Sequence, residues 1–398
     1  MDRGTAPDSM TENIPDRCWV DVDLDALSEN VRSIRRHLSG EMRYISVVKA
    51  DAYGLGARQA VPAFTRGGAE IFAVANLAEA AELREVAPEA PVLLLSATTP
   101  DEEEFLWDLR VIPTLSTPEE VVRLEAIAAR RGAPLTVHLK VDTGMGRLGI
   151  WHTEWARFES ALQSANFLRI EGIYSHFANA GDDPAFTAEQ RKRFLEICRS
   201  SPLLRERTDL LVHIDNSSGL GSFVPGTPWN AVRVGLLQYG ILPCRQPSLA
   251  RAGIVPAASW HSRVTVIKDL PAGVPVSYSG THTLRRPSRV AIVAAGYADG
   301  IPRSCSNRLH LLIRGRRCAV LGNVTMDELI VDVSDAPDAA RGDTATIVGR
   351  QGNQEISWSE FSSSAGTIPW ESLCAISKRV RRRYGEIADR LEMIDARS

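Results

Sequence analysis

Tyr44-Ile45-Ser46-Val47-Val48-Lys49-Ala50-Asp51-Ala52-Tyr53-Gly54 runs from a continuous apolar stretch straight into a charged amine and a loop of small residues. An apolar run without polar alternation is the mark of a strand buried on both faces, as in a parallel sheet covered by helices. Seven more runs of this kind follow: Ile71–Ala75, Val92–Leu95, Val111–Leu115, Leu135–Leu139, Ile170–Tyr174, Leu210–Ile214 and Val232–Gly235. Helical patterns lie between them. In 118–131, Val121, Leu124, Ile127 and Ala128 share one stripe after a Thr117-Pro118 start signal with Glu120 in the first turn. Eight strand-helix units in about 200 residues predict an α/β fold, a (β/α)8 TIM-type barrel. A doubly wound open sheet is the alternative, because periodicity carries no information about closure.

After Pro243 the pattern changes to β-rich runs separated by turns: Arg263–Ile267, Arg289–Val293, Leu309–Ile313, Leu329–Val333 and Thr344–Val348. A mainly β C-terminal domain is therefore expected. The division read from sequence is a frayed polar tail over 1–16, the barrel over 17–245 and the β domain over 246–398, with Gln246-Pro247-Ser248 as the linker. The early strand 19–23 leads into a helix striped by Leu27, Val31, Ile34 and Leu38, and whether it packs on the second domain is open.

Composition narrows the function classes. The chain has 398 residues, enough for two or three domains, and 44% apolar with 24% charged residues is ordinary for a globular protein. A net charge of −3 advertises neither nucleic acid nor an anionic membrane as a partner. No apolar stretch approaches the roughly 20 residues of a membrane span. The first seventeen residues are too polar for a secretory core. Six cysteines without a C-x-x-C pair fit reduced thiols in a cytoplasm, and no metal site is expected. The basic run Lys378–Arg383 reads as a solvated strand or helix face.

Lysine is scarce: five lysines stand among 46 Lys and Arg residues, leaving forty-one arginines. One of the five, Lys49, closes the first barrel run. That end of a barrel strand is where active sites of the fold gather, and desolvation there lowers a lysine's pKa toward nucleophilic use. A lysine snorkelling out of the barrel end is the structural alternative. A Schiff-base lysine needs an aldehyde, commonly pyridoxal phosphate, which in turn needs a phosphate cradle and a partner for its pyridine nitrogen. The loops after the seventh and eighth runs, His213–Gly219 and Arg233–Leu236, stand where barrels usually hold phosphate.

Val47-Val48-Lys49-Ala50-Asp51-Ala52-Tyr53-Gly54 resembles the cofactor-lysine motif of the alanine racemases, pyridoxal-phosphate enzymes of fold type III. His138–Gly149, Ser175-His176-Phe177-Ala178, Asn216-Ser217, Arg233-x-Gly235, Val276-Ser277-Tyr278, Gly296–Gly300 and Met326-Asp327 resemble further family strings, in family order, from about Cys18 to Tyr384. The resemblance implies a pyridoxal 5'-phosphate enzyme that interconverts L- and D-alanine and supplies D-alanine for peptidoglycan. It implies two catalytic bases, Lys49 and Tyr278, on opposite faces of the reacting carbon, with Lys49 also holding the cofactor covalently. Cofactor contacts would come from Tyr53, His176, Asn216, Ser217, Arg233, Gly235, Leu236 and Trp370, and substrate contacts from Arg147, Tyr297 and Met326. Arg233 would face the pyridine nitrogen. A guanidinium does not readily give up its proton, so the ring nitrogen stays unprotonated and side reactions are disfavoured. A free tyrosine, with a pKa near 10, needs nearby positive charge or hydrogen bonds to act as a base, which His176 and Arg233 would help supply. Lys140 matches a lysine that is carbamylated in some relatives. The resemblance further implies a homodimer in which Tyr278 and Met326 complete the partner's barrel site, with a small amino acid as substrate and no nucleic acid or membrane partner.

Three positions depart from the family pattern. Leu55 replaces the usual histidine between two glycines, Trp370 a tyrosine that narrows the substrate entrance, and Lys378 another tyrosine. The Trp370 exchange leaves room for an amino-acid racemase of broader specificity, serine included. Other readings are a fold-III decarboxylase of basic amino acids, whose strings are absent, and a non-catalytic pyridoxal-phosphate carrier, which would lack the β domain bearing Tyr278.

Overall fold

The computed structural model describes residues 14–38, 42–222, 227–243 and 252–385. The chain divides into two compact units, Asp23–Ala257 and the combination of Met1–Val22 with Ala258–Ser398. The expected linker and the 245/246 boundary lie outside the described residues, as does most of the expected tail.

Numbered in chain order, the first strand β1 (Cys18–Asp23) precedes the barrel strands β2 (Arg43–Val47), β3 (Ile71–Val74), β4 (Val92–Leu94), β5 (Val111–Ile112), β6 (Thr114–Leu115), β7 (Leu135–Asp142), β8 (Ile150–Trp151), β9 (Leu168–Tyr174), β10 (Leu211–His213) and β11 (Ala231–Val234). Parallel pairing gives two arcs, β11-β2-β3-β4-β5 and β6-β7-β9-β10, with β8 an annex of β7. Pro113 alone separates β5 from β6, because a residue without an N–H interrupts the ladder. The other seam closes by backbone: Asn216 bridges Arg233 in parallel, and Arg233 N–H donates to the Asp215 carbonyl at 3.0 Å. The eight runs thus form a closed ring, and the open-sheet alternative is excluded.

The helices are punctuated locally. In Pro118–Arg131, Thr117 accepts from the Glu120 N–H while the Glu120 carboxylate accepts from the Thr117 N–H, and Gly132 ends the helix at φ 62°. A cap of this kind stabilises a helix by about 1 kcal/mol. The stripe of Val121, Leu124, Ile127 and Ala128 is buried. Asp23 caps Leu24–His37, whose Val31 meets Ala57–Gly67 so closely that a Cβ on Gly67 would lie 2.7 Å from it. Only glycine allows that approach.

The second unit is built on the long strand β12 (Ala258–Leu270). It pairs antiparallel with β1, from Cys18 opposite Ser262 to Val22 opposite Ala258, so the early strand belongs to this unit's sheet. Strands Ser288–Val293 and Thr344–Gln351 also pair with β12. Trp260 is fully buried beneath Trp358 and Phe361. In the basic run read as a solvated face, Lys378, Arg379 and Arg381 are exposed, and ion pairs join Arg379 to Asp299 and Asp327, and Arg381 and Arg383 to Asp16. Arg383 also lies 4.3 Å over the Trp19 ring, because β1 brings both Asp16 and Trp19 to the edge strand Arg381–Gly385. Among the described residues no helix is long and apolar enough to cross a membrane.

His261, on β12, is buried between Ser259 Oγ at 2.8 Å and Thr346 Oγ1 at 3.1 Å. Burial pushes its pKa down to about 4, against the opposite pull of Asp21. A histidine depressed on folding contributes stability above its unfolded pKa and loses it as pH falls toward the folded value, here between about 6.5 and about 4. Between pH 7 and 5 the loss comes to about 2 kcal/mol. His261→Gln should therefore show a smaller drop in urea midpoint from pH 7 to pH 5 than the unaltered protein, read by tryptophan fluorescence. Equal drops would remove His261 from the acid response.

Candidate active site

The candidate residues of the first unit gather at the C-terminal ends of the barrel strands. Lys49 follows β2 and opens the turn Lys49–Gly54, in which Ala50, Asp51, Ala52 and Tyr53 have φ of 54°, 52°, 52° and 57°. Four successive non-glycine residues in the left-handed region are costly, about 1–2 kcal/mol each. Backbone strain of this kind persists only where the surroundings enforce it. Here they do. Ala52 N–H donates to the Val48 carbonyl at 2.8 Å and Ala57 N–H to Asp51 Oδ1 at 2.6 Å. Glu79 holds both flanking loops, its Oε1 accepting from Ala50 N–H and its Oε2 from Ala75 N–H, each at 2.8 Å. Leu55, just beyond the turn, is fully buried, so the apolar departure fills core.

The left-handed turn directs Tyr53 inward. A Cβ on Gly235 would lie 2.4 Å from the Tyr53 hydroxyl, so glycine is what admits the phenol. Ser217 Oγ accepts from Gly235 N–H at 2.9 Å and Leu237 N–H at 3.4 Å, joining the loops after β10 and β11. Tyr53, Ser217, Gly235 and the buried Leu236 thus meet in one place. Asn216, beside them, accepts from Gly219 N–H at 2.9 Å.

Arg233 is buried in the barrel. Its guanidinium donates to His213 Nδ1 at 2.7 Å, to the Ser175 carbonyl at 2.7 Å and to His176 Nδ1 at 3.0 Å, and stacks 4.8 Å from the Tyr174 ring. Burial lowers its pKa to about 10, leaving it a cation at neutral pH. Desolvation, then Arg233, Lys140, Arg147 and Lys49, push His176 well below the ordinary histidine value. It is neutral at pH 7, and since guanidinium can only donate, Nδ1 is the acceptor and Nε2 carries the proton.

Lys140 on β7 is buried, its ammonium 5.3 Å over the Tyr174 ring. Desolvation first, then Arg233 and Arg147, bring its pKa down to about 7. Arg147 is exposed in the following loop, which Asp142 shapes by accepting from the N–H groups of Gly144, Met145 and Arg147. Gly149 packs against the backbone of β7, where a Cβ would meet Asp142 N at 2.8 Å.

Sequence reasoning missed the supports. On helix Pro184–Ser200, Gln190 donates to Thr143 Oγ1 and the His176 carbonyl and accepts from Ala178 N–H. Arg191 pairs with the buried Asp215, whose carboxyl desolvation raises to about 6. Neither residue carried a motif. Glu79 had a partial signal, since Asn76 and Glu79 have the spacing of a helix N-cap and its N3 partner.

The second unit carries the remaining candidates. Tyr278 is 70% exposed at the tip of a turn, behind Ser277 at φ 62°. Asn323 fixes this turn, its Nδ2 donating to the Tyr278 carbonyl at 2.8 Å and its own carbonyl accepting from Ser277 Oγ at 2.6 Å. Tyr297 and Met326 are also exposed and lie in adjoining loops, with Tyr297 N–H donating to the Thr325 carbonyl. Trp370 is half-buried in the short helix Pro369–Cys374, and Lys378 is exposed. Among the described residues no cluster of His, Cys, Asp and Glu could hold a metal.

The family model for the alanine racemase N-terminal domain matches residues 22–243 and that for the C-terminal domain residues 257–384. An alanine racemase of Halothermothrix orenii is 35% identical over 377 residues, covering 94% of this chain and 98% of its own. The alanine racemase structure from Bacillus anthracis with bound L-Ala-P superposes with a TM-score of 0.85 at 33% identity, covering 94% of this chain and 96% of its own. That from Bartonella henselae, with covalently bound pyridoxal phosphate, gives 0.84 at 28% identity, over 93% of this chain and 100% of its own. A barrel with a lysine at the end of its first strand, followed by a mainly β unit, and matched over both parts in this way, belongs to the alanine racemase family of pyridoxal-phosphate-dependent isomerases.

Proposed function

We propose that this protein interconverts L- and D-alanine, holding pyridoxal 5'-phosphate on Lys49 and using Lys49 and Tyr278 as its two bases. The observation that carries the reading is the convergence of Lys49, Tyr53, Ser217, Gly235 and Arg233 at one end of the barrel. The donor set fits the cofactor. Ser217 and Tyr53, with the amide at Leu236 and that at Gly235 once released from Ser217 Oγ, would suit a phosphate, with Asn216 beside them, and Arg233 with the neutral His176 suits a pyridine nitrogen that must stay unprotonated. When bound, the cofactor supplies an electron sink for the pair left when the α-proton departs. The protein's own part is to place one base on each face of that carbon. Lys49 would act from the barrel side and Tyr278 from the other, while Arg147, Tyr297 and Met326 hold the amino acid and Trp370 flanks the entrance.

Because Lys49 and Tyr278 stand on different units, and Tyr278, Tyr297 and Met326 are exposed, the reading includes a homodimer whose sites are shared between subunits. It also places the protein in the cytoplasm, making D-alanine for peptidoglycan. Incubating the purified, cofactor-loaded protein with L-alanine and separating enantiomers by chiral chromatography tests the activity. Equal amounts of both enantiomers at equilibrium are expected; L-alanine left unchanged would overturn the assignment. Running L-serine beside it reads what Trp370 admits.

Lys140 would carry a carbamate. With its pKa brought to about 7, about half of the amine is neutral at that pH. Neutral amine adds to carbon dioxide with loss of one proton, turning a cation into an anion beside Arg147 and Arg233. A carbon-13 carbamate signal should appear in labelled bicarbonate and vanish in Lys140→Met. Its absence from the unaltered protein would dispose of the modification.

A further inference from the structure

Behind Arg233 the barrel interior holds a line of polar side chains that the two-base scheme does not use. Arg233 donates to His213 Nδ1 at 2.7 Å, His213 Nε2 meets His138 Nδ1 at 3.2 Å, and His138 Nε2 faces Glu171 Oε2 at 3.7 Å. His138 and His213 are buried, whereas the Glu171 side chain is 40% exposed with its Oε2 buried. Neither His138 Nε2 nor Glu171 Oε2 has a hydrogen-bond partner among the described residues, and the two face each other at ion-pair distance. The backbone is shaped for this line. The β7–β9 register shifts between Val137 and His138, leaving Glu171 without a partner, and a Cβ on Gly172 would lie 2.6 Å from the His138 ring. Tyr174 stacks on His213 at 4.8 Å and 5°.

Donor logic then gives every proton a place. A guanidinium only donates, so His213 Nδ1 accepts and its proton sits on Nε2. That proton points at His138 Nδ1, which leaves the His138 proton on Nε2, directed at the carboxylate. We propose that Glu171 is a positioning residue for Arg233: acting through His138 and His213, its carboxylate anchors a one-directional chain that holds the guanidinium in place. Protonation states agree. Burial keeps both histidines below their ordinary pKa, and His138 holds the Glu171 carboxyl low. The charged groups facing the chain are Arg43 at Glu171 and Arg233 at both histidines. A reversed His138 would turn its N–H on His213 and drive that ring's proton against Arg233, breaking the contact.

The chain consists of the protein's own contacts, two hydrogen-bonded links from Arg233 to His138 and a third in which the ring faces the carboxylate at 3.7 Å. Its bearing on catalysis rests on the reading of Arg233 as the partner of the ring nitrogen. Histidine-selective nitrogen-15 labelling of the cofactor-loaded protein, with long-range proton–nitrogen correlation from pH 6 to 9, reads each tautomer. His138 and His213 should both appear neutral and protonated on Nε2. In Glu171→Ala the opposite His138 tautomer should gain at least about tenfold in population, and the His213 resonances, two links away, should shift. Glu171→Gln, equal in shape, should give a smaller shift of the same kind and serves alone if the alanine variant fails to fold. An Nδ1 proton on either ring in the unaltered protein, or His213 resonances indifferent to both substitutions, would overturn the proposal. Where Glu171→Ala shifts the His213 resonances as expected, a normal kcat in that variant counts against the cofactor-facing role of Arg233 and leaves the chain standing.

Discussion

Lys49→Ala should lower the rate of alanine racemisation by about four orders of magnitude or more, because in the proposed roles one substitution would remove both the covalent anchor and a base. General acid–base catalysis alone accounts for about 10²–10⁴-fold. Loss of the covalent link adds to that, since the cofactor would be held only by its phosphate and ring contacts. On the proposed reading those contacts would come from other residues, Tyr53, Ser217 and Arg233, which meet at the same end of the barrel, so the variant should still bind the cofactor reversibly. The separation of the two effects is the useful readout. Dialysis should strip cofactor from Lys49→Ala far faster than from the unaltered protein, and a small primary amine added to the assay should restore part of the rate. Borohydride should fix the cofactor on the unaltered chain in the peptide containing Lys49. Cofactor fixed on Lys140, Lys192, Lys268 or Lys378, or a tenth of the activity surviving in Lys49→Ala, would end the assignment.

The lysine was legible before folding because its surroundings break a pattern: a buried strand ends on a charge. The eight runs were legible for a related reason, since burial on both faces leaves no polar alternation. Closure was not. It is made by backbone groups at Asn216 and Arg233 and by the gap at Pro113, and backbone pairing leaves no trace in side-chain periodicity. The left-handed turn was equally hidden. Ala50-Asp51-Ala52-Tyr53 has none of the glycines that such φ values favour, and the strain is sustained by Glu79, about thirty residues away. Gln190, Arg191 and Glu171 share this character. Each acts through contacts with residues distant in sequence; Gln190 and Arg191 sit in no string that spacing rules single out, and Glu171 lies inside the run Ile170–Tyr174, whose reading as a strand says nothing of its carboxylate.

Tyr278→Phe should sharply slow removal of the α-proton from L-alanine while D-alanine, in the proposed two-base scheme, continues to exchange its proton through Lys49. The substitution takes away one hydroxyl at a position 70% exposed, and the turn is held by Asn323 through the Tyr278 carbonyl and the Ser277 hydroxyl, neither of which it alters, so the unit should fold unchanged. A loss of about 10²–10⁴-fold in deuterium exchange from L-alanine is expected, with cofactor content unaltered. Equal loss from both enantiomers would mean that the phenol serves the site as a whole instead of one face. Co-expressing Tyr278→Phe with Lys49→Ala then decides which chain lends the hydroxyl. If each site pairs the lysine of one subunit with the tyrosine of the other, a mixed dimer has one site with both defects and one with none. Random pairing makes half the dimers mixed, so about a quarter of the unaltered activity should return from two inactive parents. Were both groups drawn from the same chain, every site in the mixture would carry exactly one defect and no activity would return. The size of the recovery therefore reads subunit sharing directly, without any appeal to the stability of the dimer.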